Sequence, residues 1–294
     1  MGTDMSDAVR VGFVGLGDIG KPMAARLARR QAEAGLALSV FDIAEAPVAE
    51  LVEAGAKAAD GVGSLAAGSD VLCVMVNNDD QVRSVLGEVL AAEGAGAGLT
   101  VAVHSTVAPA TPAELEALAA RRGVRLVDAP VSGGAMGAGT GELAVMVGGS
   151  ADAFAAVRPV LDVLAKKVVH AGAIGAGTRF KLARNLMHYA AFTAATEAQR
   201  LAEAAGLDIA ALGDVVRHTD ALTGGPGAIM HRDTTAALEP GSFWFTTFDH
   251  VRRLAEKDLD FAIALAEELG VDVPMARIAR DGLASGLGFR EERS

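Results

Sequence analysis

Lys181 lies in GAGTRFKLARN, residues 175 to 185, a lone lysine among small and apolar neighbours with two glycines before it. Asn185 follows at i+4, so a helix through this stretch puts both side chains on one face. A lysine can take a proton from a hydroxyl, or return it to a carbonyl, if burial and nearby positive charge lower its pKa toward neutrality. Asn185 can orient the lysine or hold a substrate hydroxyl. Arg184 lies near Lys181 on the same helix. It either pairs with a substrate anion and lowers the lysine's pKa, or points to solvent. The six histidines show no H-E-x-x-H or comparable ligand spacing, so no metal site is expected.

A second constellation sits near the N-terminus. GLGDIG (Gly15, Leu16, Gly17, Asp18, Ile19, Gly20) follows the apolar run VRVGFV and opens a helical pattern. Gly15 permits a tight turn, Gly17 lets the backbone approach a pyrophosphate, and Gly20 allows close helix–strand packing. The helix N-terminus adds free N–H groups and the positive end of a dipole. Asp42 closes the second apolar run, where an acid can accept hydrogen bonds from both ribose hydroxyls. Ile43 and Ala44 follow it, with no Arg or Lys to hold a 2′-phosphate, and Asp42 would repel one. NAD is therefore expected over NADP.

Positioning these residues requires an alternation of strands and helices. Strands are predicted at residues 9–14, 36–42, 70–76, 99–106, 124–130, 142–149 and 167–172, with helices between most of them. The helix at TPAELEALAARRG starts with Pro112 after Thr111 and ends at Gly123. This pattern predicts an α/β fold, a Rossmann-type doubly wound parallel sheet with helices on both faces. From about residue 176 the strand signal stops. A long helix to residue 205 is followed by helices at 207–219, 248–270 and 274–286, with a loop rich in Gly, Pro, Thr and Phe from Thr223 to Phe245. The predicted domains are 1–172, dinucleotide-binding, and 173–294, an all-helical substrate and oligomerisation domain joined by the long helix. The ligand would lie at the C-terminal ends of the strands, with substrate in the cleft between domains.

The 294 residues are 51% hydrophobic, 4% aromatic and 21% charged, enough for a packed core. A net charge of −11 argues against nucleic acid or an anionic membrane as partner. Cys73 is the only cysteine, and it reads as a buried strand residue, so no intrachain disulfide forms and a reducing compartment fits. MGTDMSDAVR lacks the apolar core of a signal peptide. Residues 94–113 carry no charge but are broken by Gly, Pro, Ser and Thr, unlike a membrane span. A cytoplasmic protein is expected.

Four blocks in order then resemble the β-hydroxyacid dehydrogenases, the group containing 3-hydroxyisobutyrate dehydrogenase and tartronate semialdehyde reductase. They are GFVGLGDIGKPMAARL, DAPVSGGAMGAGTGEL, GAGTRFKLARN and KDLDFA. The resemblance implies a catalytic role for Lys181, with Asn185 one turn beyond. It implies that Ser132, Gly133 and Gly134 bind a substrate carboxylate, for which a hydroxyl and two unencumbered N–H groups are suited. Thr106 matches a threonine near the nicotinamide. Val76, Asn77 and Gln81 match cofactor-contact positions, and Lys257 a lysine that closes over the cofactor. Three departures stand out. Asn77 replaces a proline usual in the family, Arg184 replaces a second asparagine, and the segment FWFTTFDHVRR, residues 243–253, is bulkier and more basic than the family pattern.

Together these readings predict an NAD-dependent oxidoreductase that interconverts a small β-hydroxyacid and its semialdehyde or keto form. They also predict a homodimer or homotetramer built on the apolar helices. The competing readings are an imine reductase of the same architecture, against which Lys181 counts, and a nucleotide-binding protein without turnover.

Overall fold

The computed structural model describes residues 8–96 and 98–290. The first seven residues of the polar N-terminal stretch lie outside them. The chain divides into a unit ending at Arg184 and a second beginning at Asn185.

The first unit opens with β1 (Val9–Val14), α1 (Gly20–Ala34), β2 (Leu36–Phe41), α2 (Glu45–Glu53), β3 (Lys57–Ala58) and α3 (Val62–Ala67). It continues with β4 (Val71–Val74), α4 (Asp79–Ala91), β5 (Thr100–Val103), α5 (Thr111–Ala120) and β6 (Arg125–Asp128). Then come β7 (Val131–Ser132), α6 (Gly134–Thr140), β8 (Leu143–Gly148), α7 (Ala151–Leu164) and β9 (Ala165–Gly172). The helix α8 (Ala176–Ala204) starts in this unit and contains the division.

Strands β1 to β6 form a parallel sheet in the order β3-β2-β1-β4-β5-β6. The order reverses between β1 and β4, which creates the crevice where ligands bind in such sheets. Side chains alternate faces along each strand. Phe13, Cys73, Ala102 and Val127 join one core, with α1 and α7. Val14, Val74, Val103 and Leu126 join the other, with α3, α4 and α5. Burial on both faces explains why these strands read as continuous apolar runs.

The sheet is parallel only as far as β6. β8 pairs antiparallel with β6 and β7, and β9 pairs parallel with β8. The linker between β7 and β8 holds only the short α6, too little for the usual crossover to a parallel neighbour. Four short elements have no counterpart among the predicted ones: β3, α3, β7 and α6 are made largely of small residues with no usable periodicity.

The second unit carries the rest of α8, then α9 (Ile209–Thr223), a 3-10 turn at Gly225–Gly227, α10 (Phe243–Leu269) and α11 (Pro274–Leu287). α10 starts five residues before its predicted start at 248. Ser242 accepts a hydrogen bond from Phe245 N and caps it. The aromatic run FWF therefore belongs to a helix, where Trp244 and Phe245 pack on Leu238, Phe248 and Leu287. Glu197, on α8 and 4% exposed, accepts from Met275 N (2.8 Å) and Ala276 N (3.1 Å) and so caps α11. Among the described residues no helix is long and apolar enough to cross a membrane.

Candidate active site

The glycine loop has the geometry its spacing implies. Gly15 has φ +92°, and a Cβ there would stand 2.1 Å from Met75 O. A Cβ at Gly20 would stand 1.9 Å from Gly15 O. Both glycines are thus required by the protein's own packing. Gly17 differs. A Cβ there would meet nothing within 4 Å, so the chain's own packing leaves the space beside it open. An approaching pyrophosphate fits that space, and the N-terminus of α1 beside it has no side-chain cap.

Asp42 stands at the end of β2. Its Oδ2 accepts from Leu16 N (2.6 Å) and its Oδ1 from Ala44 N (2.8 Å). The carboxylate is held in place by the backbone of the glycine loop, and each oxygen retains acceptor capacity for a ribose hydroxyl. A cavity of about 390 Å³ lies here, lined by Gly17, Asp42, Ile43, Val76, Asn77 and Gln81 among others. Leu16 is buried, while Asp18 is exposed and Ile19 half-buried. The residues therefore fit a dinucleotide.

The far wall of the cavity is braced from the end of β5. Ser105 Oγ accepts from Val76 N (2.9 Å) and donates to Val76 O (2.8 Å). Asn77 N donates to Gln81 Oε1 (2.8 Å), a bond that the proline implied here by the resemblance would lack the N–H to make. Asn78 accepts from Gln81 N and caps α4. Thr106, the residue after Ser105, is exposed. Ser105 and Asn78 are absent from the predicted site: the role of Ser105 rests on a partner 29 residues away, whereas Asn78 is a local helix cap that its residue type at the start of a helical pattern could have marked.

Lys181 occupies the second turn of α8 and is 8% exposed. Its Nζ donates to Val131 O (2.6 Å) and to Ser132 Oγ (2.8 Å). Burial holds its pKa below the usual lysine value, and the charge of Arg184 adds to that effect. The structure thus brings Lys181 to Ser132, the first residue of the predicted carboxylate loop. Gly133 and Gly134 follow with φ +132° and +63°, backbone conformations that favour glycine.

Two further buried groups hold this arrangement. Asp128, at the end of β6 and 1% exposed, accepts from Gly175 N (2.7 Å) and Thr178 N (2.6 Å). Burial raises its pKa against the pull of those donors. His104, 1% exposed, has Nδ1 2.8 Å from Ala129 O. A carbonyl can only accept, so Nδ1 carries the proton. Burial pushes the His104 pKa down to about 4, which keeps the ring neutral near pH 7. In the sequence Asp128 shows only as part of DAPVSGG, and His104 reads as a structural residue.

Asn185 and Lys257 belong to the second unit. Asn185 is half-buried on α8. Lys257 is on α10, 2.8 Å from Asp258 and with its Nζ over the Phe261 ring. Among the described residues no cluster of His, Cys, Asp or Glu could hold a metal ion.

Fold and glycine loop define a dinucleotide-binding protein, and comparison with known proteins narrows this. A family model for the NAD binding domain of 6-phosphogluconate dehydrogenase matches residues 10–172. One for the NAD-binding region of NADP-dependent 3-hydroxyisobutyrate dehydrogenase matches residues 175–288. An uncharacterized oxidoreductase of Mycobacterium tuberculosis is 47% identical over 95% of this chain and 93% of its own. The 3-hydroxyisobutyrate dehydrogenase of Pseudomonas aeruginosa is 36% identical over 92% of this chain and 90% of its own. A crystal structure from Mycobacterium avium, described provisionally as an oxidoreductase, has a TM-score of 0.90 and 48% identity, covering 96% of this chain and 99% of its own. The chain belongs to the β-hydroxyacid dehydrogenase family, oxidoreductases that bind NAD(P).

Proposed function

We propose that the protein is an NAD-dependent dehydrogenase that interconverts a small β-hydroxyacid and its semialdehyde or keto form, with Lys181 as the proton-transfer group. The observation that carries this reading is the buried Lys181 ammonium on neutral acceptors, Val131 O and Ser132 Oγ. Those two bonds fix the direction of the nitrogen's remaining valence. In oxidation that valence is a lone pair that takes the hydroxyl proton; in reduction it is an N–H that returns it to the carbonyl oxygen. The lowered pKa makes both states accessible nearer neutrality. Bound NAD supplies the hydride acceptor, and its reduced form the donor.

Ser132 and the N–H groups of Gly133 and Gly134 hold the substrate carboxylate, and Asn185 holds the hydroxyl or orients the lysine. Gly15 to Gly20, Asp42, Val76, Asn77, Gln81 and Thr106 hold the dinucleotide, with Lys257 contributing from the helical domain, residues 173–294. NAD preference is supported by Asp42 and Glu88 in the lining of this cavity, where no basic side chain stands among the described residues; the basic residues Lys21 and Arg29 line the adjoining pocket on the α1 side. The test is NADH and NADPH formation from a panel of 3-hydroxy acids, with wild type and Lys181→Ala. We expect turnover with NAD and a loss of at least about 100-fold in the variant. Robust turnover by Lys181→Ala would remove the lysine from the mechanism. Reduction of cyclic imines without hydroxyacid activity would favour the imine reductase, and tight NAD binding without turnover the non-catalytic reading.

A further inference from the structure

Asp128 and Lys181 are linked through one short segment of chain. The Asp128 carboxylate holds the two N–H groups at the start of α8, from partners 47 and 50 residues away in sequence. α8 has no acidic residue of its own in its first turn, so Asp128 does the work of a helix cap from another element. Three and four residues further along the same segment, Val131 O and Ser132 Oγ receive the Lys181 ammonium. Segment 128–132 therefore grips the first two turns of α8 at two points, with Lys181 at the second.

The surrounding backbone leaves no slack. A Cβ at Gly148 would stand 2.3 Å from Asp128 Oδ1 and 2.8 Å from Ala176 N and Gly177 N. A Cβ at Gly177 would stand 2.3 Å from Met146 O and 2.6 Å from Asp128 O. The first turn of α8 thus lies directly on the ends of β6 and β8. A neutral side chain of the same size at 128 would present a donor to at least one N–H that now has an acceptor. The helix end would have to move away from it.

We infer that Asp128 is a positioning residue for proton transfer: its carboxylate fixes the first turn of α8 so that Lys181 Nζ stays on Val131 and Ser132. This rests on the reading of Lys181 given above. Loosening the turn lets the lysine reach solvent, where its pKa rises and its geometry is lost. A carboxylate that only stabilised the fold would not act through Lys181.

A double-mutant cycle separates the two cases. Asp128→Asn and Asp128→Ser are each made in wild type and in Lys181→Ala, and NADH binding reports that the fold is intact. In wild type we expect kcat to fall about 10- to 100-fold with NADH affinity within about 3-fold, and the acid limb of the kcat/KM profile for alcohol oxidation to move to higher pH. In Lys181→Ala the same substitutions should change residual activity less than about 3-fold. An equal loss in both backgrounds, or an unmoved pH limb, would overturn the inference. Loss of folding in both Asp128 variants would also overturn it, because the carboxylate would then be a folding requirement. If Lys181→Ala itself retains full activity, the proton-transfer reading fails first, and the cycle shows which of the two was wrong.

Discussion

His104 makes the fold acid-sensitive by an amount that the structure sets. The ring is 1% exposed, donates from Nδ1 to Ala129 O, and has no partner for Nε2 among the described residues. Burial depresses its pKa from 6.5 to about 4. The unfolded chain therefore binds a proton below about pH 6.5 that the folded chain refuses until about pH 4. Stability rises with pH across that window and is lost as pH falls through it. At about 1.4 kcal/mol per pH unit, the loss between about pH 7 and pH 4.5 is about 2.5 kcal/mol. His104→Gln keeps an N–H for Ala129 and removes the titration. It should be less stable than wild type near neutral pH, by about 1–2 kcal/mol from altered packing. That deficit should shrink or reverse by about pH 4.5. The assay is urea unfolding of both proteins in steps from about pH 4.5 to 7.5. Asp128, whose raised pKa works in the opposite direction, is common to both and cancels in the difference. A difference that stays constant with pH would refute the neutral, buried assignment of His104.

The glycine loop makes a contrasting pair of predictions. Gly20→Ala puts a Cβ 1.9 Å from Gly15 O and should lower stability by several kcal/mol, about 3 or more, read by thermal unfolding. Gly17→Ala meets nothing within 4 Å, so stability should hold within about 0.5 kcal/mol while NADH affinity, read by fluorescence titration, falls at least about 10-fold. Assembly is testable by mass in solution. α9 buries none of its residues, and Leu186, Phe192, Leu222 and Phe261 are each more than half exposed. A stable homodimer or homotetramer is expected, because a monomer rarely exposes so much apolar surface. A monomeric mass at micromolar concentration would refute it.

Much of the first unit is legible because its signals are local. VRVGFV followed by GLGDIG and a helical period needs only neighbouring residues to be read, and Asp42 is found by asking what ends the next strand. The start of α10 is obscured because residues 223–245 are rich in Gly, Pro and Thr, and the cap at Ser242 is one residue against that background. The direction of β8 is hidden for a different reason. Parallel and antiparallel strands share composition, and only the linker through α6 decides between them.

The supports of the candidate site are the least legible, and Gly148 and Gly177 show why. Taken locally, one ends a strand and the other opens a helix, and both look like ordinary punctuation. In the structure both are required by the contact of Asp128 with the start of α8, which joins residues about 50 apart. A helix capped by a distant carboxylate leaves no S/T/D/N signal at its own N-terminus, so the sequence of α8 shows no cap. His104 is hidden in the same way, since its partner is a backbone carbonyl 25 residues on. The motif residues proposed to touch ligand stand out by type. The residues that hold them stand out only once the chain is folded, which is why Asp128 carries the test that the motifs alone could not suggest.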